Sequence, residues 1–140
     1  MNVFHQPIVN RKVRFALLGC GRIAKNHFDS IAKLADHCEL VDVCDVDPAA
    51  LAAATAATGA KGHASLTEML SATTADCVIL TTPSGLHSRQ TIQVAKAGLH
   101  VMTEKPMATR WQEGLEMVRA CDEAGVRLFV VKQNRRNPTL

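Results

Sequence analysis

The sequence predicts an α/β protein, a doubly wound parallel sheet held between two layers of helices. Three observations predict it. Apolar strand-like runs alternate with helix-like stretches from about Lys12 onward, joined by short connections and free of repeats or low-complexity tracts. That alternation is the pattern of parallel strands linked by right-handed crossovers. The runs are solidly apolar instead of alternating, as strands covered on both faces are. The unusual polar groups fall where these runs end, and doubly wound sheets bind ligands outside the carboxyl ends of their strands.

The first run, over 13–18, breaks into Gly19-Cys20-Gly21-Arg22-Ile23-Ala24. Gly19 permits a tight turn, Gly21 leaves room for a diphosphate at the backbone, and small Ala24 lets the following helix lie close on the strand. The first N–H groups of that helix are unpaired and its dipole favours an anion, so the stretch is a candidate pyrophosphate cradle. Glycines in this spacing also serve plain turns. In the helix, Ile23, His27, Ile31 and Leu34 recur at helical spacing and are expected to cover one sheet face, with His27 a packed histidine and not a ligand.

Leu40-Val-Asp-Val-Cys44 reads as the second strand, and Asp45 ends it, a little beyond the roughly 20 residues at which a dinucleotide fold places its ribose-reading acid. A carboxylate there accepts hydrogen bonds from both hydroxyls of an adenosine ribose and repels a 2′-phosphate. Val46 supplies no compensating cation, so NAD is favoured over NADP; the plainer alternative is a solvated turn acid. Asp47 before Pro48 reads as a helix cap. An alanine-rich helix follows to Thr58, stopped by Gly59.

A short third strand is expected over 61–63, and Ser65-Leu-Thr-Glu68 matches a capping box that opens a brief helix through Leu70. The fourth strand, over 77–81, runs into the loop Thr82-Pro83-Ser84-Gly85-Leu86-His87. The spacing then predicts a helix over 87–97, a fifth strand over 99–103 ended by Glu104-Lys105-Pro106, and a helix capped within Thr109-Arg-Trp-Gln112. That helix shows an apolar stripe of Trp111, Leu115 and Val118. A sixth strand over 126–131 leads into Lys132-Gln-Asn-Arg-Arg-Asn-Pro138. Four polar groups therefore converge at strand carboxyl ends: the glycine turn, Asp45, the 82–87 loop and Glu104-Lys105-Pro106.

Bulk properties narrow the class. A chain of 140 residues suggests one domain, here 12–140 behind an irregular lead-in over 1–11 that is partly ordered through Val3 and Phe4. The net charge of +3 is mild and no basic block is interleaved with aromatics, so nucleic acid is not indicated. Five cysteines lack C-x-x-C spacing and several sit in apolar runs, which fits a reducing cytoplasm; six histidines show no metal-ligand spacing, so no metal is expected. No signal peptide or apolar run of membrane-spanning length is visible.

Gly19-Cys-Gly-Arg-Ile-Ala24, Thr82-Pro83-Ser84 with His87, and Glu104-Lys105-Pro106 together resemble the amino-terminal, Rossmann-fold domain of the Gfo/Idh/MocA oxidoreductases. The segment Val131 to Pro138 is similar to one branch, bacterial dehydrogenases that oxidise the C3 hydroxyl of UDP-N-acetylglucosaminuronic acid with NAD in lipopolysaccharide sugar synthesis. The resemblance implies roles. Gly19, Gly21, Arg22 and Ile23 would lie along the pyrophosphate and Asp45 would hold the adenosine ribose. Thr82, Pro83 and His87 would line the path to the nicotinamide ribose; Ser84 stands where many members have asparagine. Glu104 would touch the nicotinamide half, Lys105 would reach the reacting hydroxyl, and Gln133, Asn134 and Arg135 would approach the cofactor or the substrate diphosphate.

A lysine suits that chemistry, since hydride departure from a carbinol carbon requires the hydroxyl proton to be taken up or shared. Pro106 bars the α conformation at Lys105 and holds it extended. The alternatives are an exposed strand-end lysine at 105, a helix-start histidine at 87 that only satisfies backbone groups, and a solvated basic end at Arg135. The family pairs this domain with a second α/β domain that carries a catalytic histidine, the substrate wall and the usual oligomer contacts. The chain is accordingly expected to be a fragment that binds NAD without turning over sugar. A dehydrogenase of another sugar or polyol, an NAD-sensing module without chemistry and an S-adenosylmethionine methyltransferase remain as alternatives. The last gives no reason for Glu104-Lys105-Pro106, and its sheet ends antiparallel.

Overall fold

The computed structural model describes residues 7–138; Val3 and Phe4, expected to be partly ordered, lie outside them. Six strands alternate with five helices: β1 (Val13–Leu18), α1 (Ala24–Lys33), β2 (Cys38–Cys44), α2 (Pro48–Thr58), β3 (Lys61–His63), α3 (Leu66–Ala72), β4 (Cys77–Leu80), α4 (His87–Lys96), β5 (His100–Thr103), α5 (Trp111–Ala124) and β6 (Leu128–Val130). All pairings are parallel, in the order β3-β2-β1-β4-β5-β6. The chain winds outward from β1 to β3, then crosses back to β4 and winds the other way. The strand order therefore reverses between β1 and β4, which opens a crevice at their carboxyl ends.

Side chains alternate across the sheet as the pleat requires. Leu17 and Ile79 face α1, where Ala24, Phe28 and Ile31 pack on them, and Val43 and Ala54 continue that layer under α2. Ala16, Leu18, Val78 and Leu80 face the other way, against Met69, Val94, Ala95 and Cys121. The expected doubly wound sheet is present, and its sixth strand is parallel.

Helix starts follow the sequence signals in two of three cases. The Asp47 side chain accepts from Ala49 N at 3.0 Å with Pro48 in the first turn. The Ser65 hydroxyl accepts from Glu68 N at 3.2 Å, while Glu68 reaches back to Ala64 N and not to Ser65 itself. No side chain caps α5: its N-cap residue is Arg110, and Thr109 bonds the Glu113 carboxylate at 3.0 Å instead.

Two helix faces differ from the expected stripes. On α1 the inward line is Ala24, Phe28 and Ile31, whereas Ile23 and Leu34 are 37% and 54% exposed. On α5, Trp111 is 76% exposed and Leu115 and Val118 also face outward, while Met117 and Cys121 are buried. The reason is shared. Helical period fits more than one apolar line on each helix, and packing on the sheet selects Ala24 and Phe28 on α1 and Met117 and Cys121 on α5. The buried line of α5 is Met117 and Cys121, while a Cβ on Gly114 would crowd only the preceding loop, 3.2 Å from Met107 Cε.

One polar cluster interrupts the described core. Asp42 on β2 is buried among strands, accepting from the buried His63 Nε2 at 2.7 Å and from the Thr73 hydroxyl at 2.5 Å. A buried carboxylate is tolerated because both its oxygens have donors.

Candidate active site at the carboxyl ends of the strands

Gly19 ends β1 with its N–H donating to Cys44 O at 2.8 Å and with φ of +95°, in the left-handed region. A Cβ there would stand 2.9 Å from both Thr82 N and Thr82 Cγ2, so the turn and the 82–87 loop meet where only a glycine leaves room. The Thr81 hydroxyl fastens the same junction, donating to Gly19 O at 2.6 Å. Gly21 is different. A Cβ on it would meet nothing within 4 Å, so nothing inside the described chain requires a glycine at that position. That open space suits a ligand lying against the backbone, and it is the observation by which a dinucleotide fits.

Asp45 stands beside this turn. Its Oδ2 accepts from Cys20 N at 2.6 Å and its Oδ1 from Asp47 N at 2.8 Å. Among the described residues no cation forms an ion pair with it. A carboxylate oriented by two amides, with lone pairs to spare and no counter-cation, can accept ribose hydroxyls and would meet a 2′-phosphate with repulsion. The neighbouring Cys20 thiol is pushed up to about 11, first by burial and then by the Asp45 charge, so it stays protonated and takes no part as a nucleophile.

The 82–87 loop begins beside Gly19. Thr82 donates its hydroxyl proton to the buried Gln90 amide oxygen, Pro83 is exposed, and Ser84 opens a single 3-10 turn, Ser84–Leu86. His87, expected on the path to the nicotinamide ribose, is only 1% exposed. Its Nδ1 lies 2.9 Å from Pro106 O and its Nε2 2.9 Å from Thr82 O. Both ring nitrogens are thus committed to backbone groups.

Glu104 follows β5 and hydrogen-bonds through its N–H to Leu80 O at 3.0 Å, which ties the lysine corner to β4. Its carboxylate turns back toward α1 and accepts from His27 Nε2 at 2.8 Å. Lys105 is exposed, precedes Pro106 through a cis peptide bond, and lines a cavity of about 300 Å³ together with Lys132, Gln133, Asn134 and Arg135. The last three belong to a 3-10 turn, Gln133–Arg136.

The glycine turn, the 82–87 loop and the lysine corner are therefore contiguous across β1, β4 and β5, as the convergence of strand ends requires. Three residues here have partners or positions that the sequence pattern did not give them. His27 is partnered with Glu104 and is not simply packed. Lys132 faces the same cavity as Lys105; its signal was the run of positive charge over 132–136. Gln90 beneath Thr82 left no mark in the sequence pattern. Among the described residues no cluster of metal-binding side chains forms, and no helix is long and apolar enough to cross a membrane.

Comparison with known proteins matches the fold that carries this crevice. The WlbA dehydrogenase from Chromobacterium violaceum, solved in complex with NADH and UDP-GlcNAcA, is 67% identical to this chain with a TM-score of 0.97, covering 99% of this chain and 40% of its own. Its counterpart from Bordetella pertussis, solved with the same two molecules, is 64% identical with a TM-score of 0.92, over 93% of this chain and 40% of its own. D-apiose dehydrogenase from Paraburkholderia graminis is 33% identical over 93% of this chain and 35% of its own length. The chain thus spans about two-fifths or less of these relatives. The model of the oxidoreductase family with an NAD-binding Rossmann fold matches residues 13–132. By that match, and by a crevice that joins a glycine turn to a glutamate-lysine-proline corner, the chain belongs to the Gfo/Idh/MocA family as its NAD-binding Rossmann domain.

Proposed function

We propose that this chain is the NAD-binding domain of a dehydrogenase that oxidises the C3 hydroxyl of UDP-N-acetylglucosaminuronic acid, in the making of lipopolysaccharide sugars. The observation that carries the reading is the 67% identity, across 99% of the chain, to a dehydrogenase solved with NADH and UDP-GlcNAcA. The roles follow from position. Gly19, Gly21, Arg22 and Ile23 receive the pyrophosphate, Asp45 the adenosine ribose, and Thr82, Pro83 and Ser84 the nicotinamide half, with His87 and Glu104 bracing that side. Gln133, Asn134 and Arg135, joined by Lys132, present donors and positive charge to the substrate's anionic groups.

NAD, when bound, supplies the hydride acceptor. Lys105 handles the accompanying proton. As the carbinol carbon loses hydride, its hydroxyl proton must leave: the neutral Lys105 amine accepts it, or, as an ammonium, Lys105 stabilises the developing alkoxide while the histidine that the family resemblance implies in the second domain takes the proton. The cavity shared with Lys132 and Arg135 gives the sugar's negative groups a place beside that amine.

Titration of the 140-residue chain with NADH, read by fluorescence, is expected to give saturable binding without steady-state sugar oxidation. Joined to the remainder of the Chromobacterium violaceum relative, the chain is expected to oxidise UDP-N-acetylglucosaminuronic acid. Lys105→Ala should then abolish turnover while NADH still binds. Turnover at the parent rate after Lys105→Ala, or no NADH binding, would overturn the reading.

A further inference from the structure

Lys105 is held on both sides by histidines. Its preceding neighbour, Glu104, has both carboxylate oxygens engaged: Oε1 by His27 Nε2 at 2.8 Å, and Oε2 by the Lys105 N–H at 3.2 Å. The His27 and Glu104 side chains are 14% and 15% exposed, so this pair is largely shielded from water. On the other side, the Pro106 carbonyl accepts from His87 Nδ1 at 2.9 Å, and the same buried ring reaches Thr82 O at 2.9 Å through Nε2. A carbonyl oxygen only accepts, so the grip on Pro106 is made by the Nδ1–H tautomer of the ring, with Nε2 lying against the Thr82 carbonyl.

The two histidines come from opposite layers. His27 lies on α1, which packs against Leu17 and Ile79; His87 opens α4, whose Val94 and Ala95 pack in the layer of Leu18 and Leu80. We propose that His27 and His87 are positioning residues that grip the two neighbours of Lys105 from the two faces of the sheet and so aim its amine. The proposal rests on the role of Lys105 given above. It assigns a purpose to two buried or half-buried histidines that neither packing nor the glycine cradle explains. A long lysine side chain on a strand-end corner has many rotamers; fixing its backbone on both sides removes the part of that freedom that the substrate cannot.

Two measurements test it. In the 140-residue chain, ¹⁵N relaxation should give amide order parameters of about 0.85 at Lys105 and Met107, falling below about 0.6 in His27→Ala or His87→Ala, with β1 and β4 unchanged. In the chain joined to the remainder of its Chromobacterium relative, His27→Ala should lower kcat about 100-fold, the scale of a small misplacement of a catalytic group. KM for the sugar and the NADH dissociation constant should stay within about threefold, and His27→Gln, which keeps an N–H near the Nε2 position, should recover most of kcat. A role confined to stability would not split kcat from KM in this way.

Rigid Lys105 and Met107 amides in folded variants would overturn the proposal even while NADH binding holds. A parent chain that fails to bind NADH sinks the dehydrogenase reading instead, and the relaxation measurement still decides the grip. If His87→Ala does not fold, His27→Ala carries the test, because its side chain is partly exposed and leaves no sealed cavity.

Discussion

The two ends of the sheet each carry an aspartate that accepts a backbone N–H, and the two aspartates serve different ends. At the amino end, Asp76 takes the Arg14 N–H at 2.8 Å and is gripped by both terminal nitrogens of Arg11 at 2.7 Å each. At the carboxyl end, Asp45 takes the Cys20 N–H at 2.6 Å and no described cation pairs with it. A neutralised carboxylate is finished as a structural element. One that is oriented by amides but left with its charge has interaction to spare, and it borders the crevice. The contrast shows how a fold separates acids that hold it together from acids that await a ligand.

The largest expected effect lies at the carboxyl end. Gly19→Ala combines a left-handed backbone with a Cβ 2.9 Å from Thr82 N; a loss of about 2–4 kcal/mol of stability is expected in denaturant unfolding, with NADH binding lost alongside. Asp45→Ala sharpens the comparison: NADH affinity should fall about 10–100-fold by fluorescence titration, the worth of a hydrogen bond to a charged group. Asp76→Ala should do the reverse, leaving NADH affinity intact while costing about 1–2 kcal/mol in denaturant unfolding, since the Arg11 partner is exposed and its share is screened. Equal effects of the two aspartate variants on NADH affinity would break the comparison.

The pH dependence has a definite sign. The Arg11 guanidinium, bonded to Asp76, holds that carboxyl below its ordinary value. The stability it contributes is present above about pH 3.9, the unfolded value, and fades as pH falls through the lower folded one. Asp76→Asn should therefore flatten the acid limb of a stability profile. The smallest effect belongs to neither end: Trp111→Ala, on an exposed helix face, should change stability by no more than about 0.5 kcal/mol.

Strand runs were legible because β1 and β4 are covered on both faces and so spell continuous apolar sequence. The glycine turn was legible from its spacing after an apolar strand, and the lysine corner because Glu104-Lys105-Pro106 resembles the family's triplet. Helix faces were less so. Period alone cannot say whether α5 turns Trp111 or Met117 inward, because both lines are apolar at helical spacing and the packing on the sheet makes the choice. The pairing of His27 with Glu104 was invisible for another reason: 77 residues separate them, and only the strand order brings them together. Asp42, in the middle of a strand, was hidden by the apolar residues around it; its partners His63 and Thr73 come from elements that the sheet places alongside.

The margins of the sheet have a consequence of their own. β3 and β6, its two outermost strands, are three residues each. Edges so brief offer few free N–H and C=O groups for a foreign strand to zip onto, which guards the molecule against amyloid-like stacking. A concentrated solution of the domain should therefore stay free of thioflavin-positive aggregates so long as it remains folded.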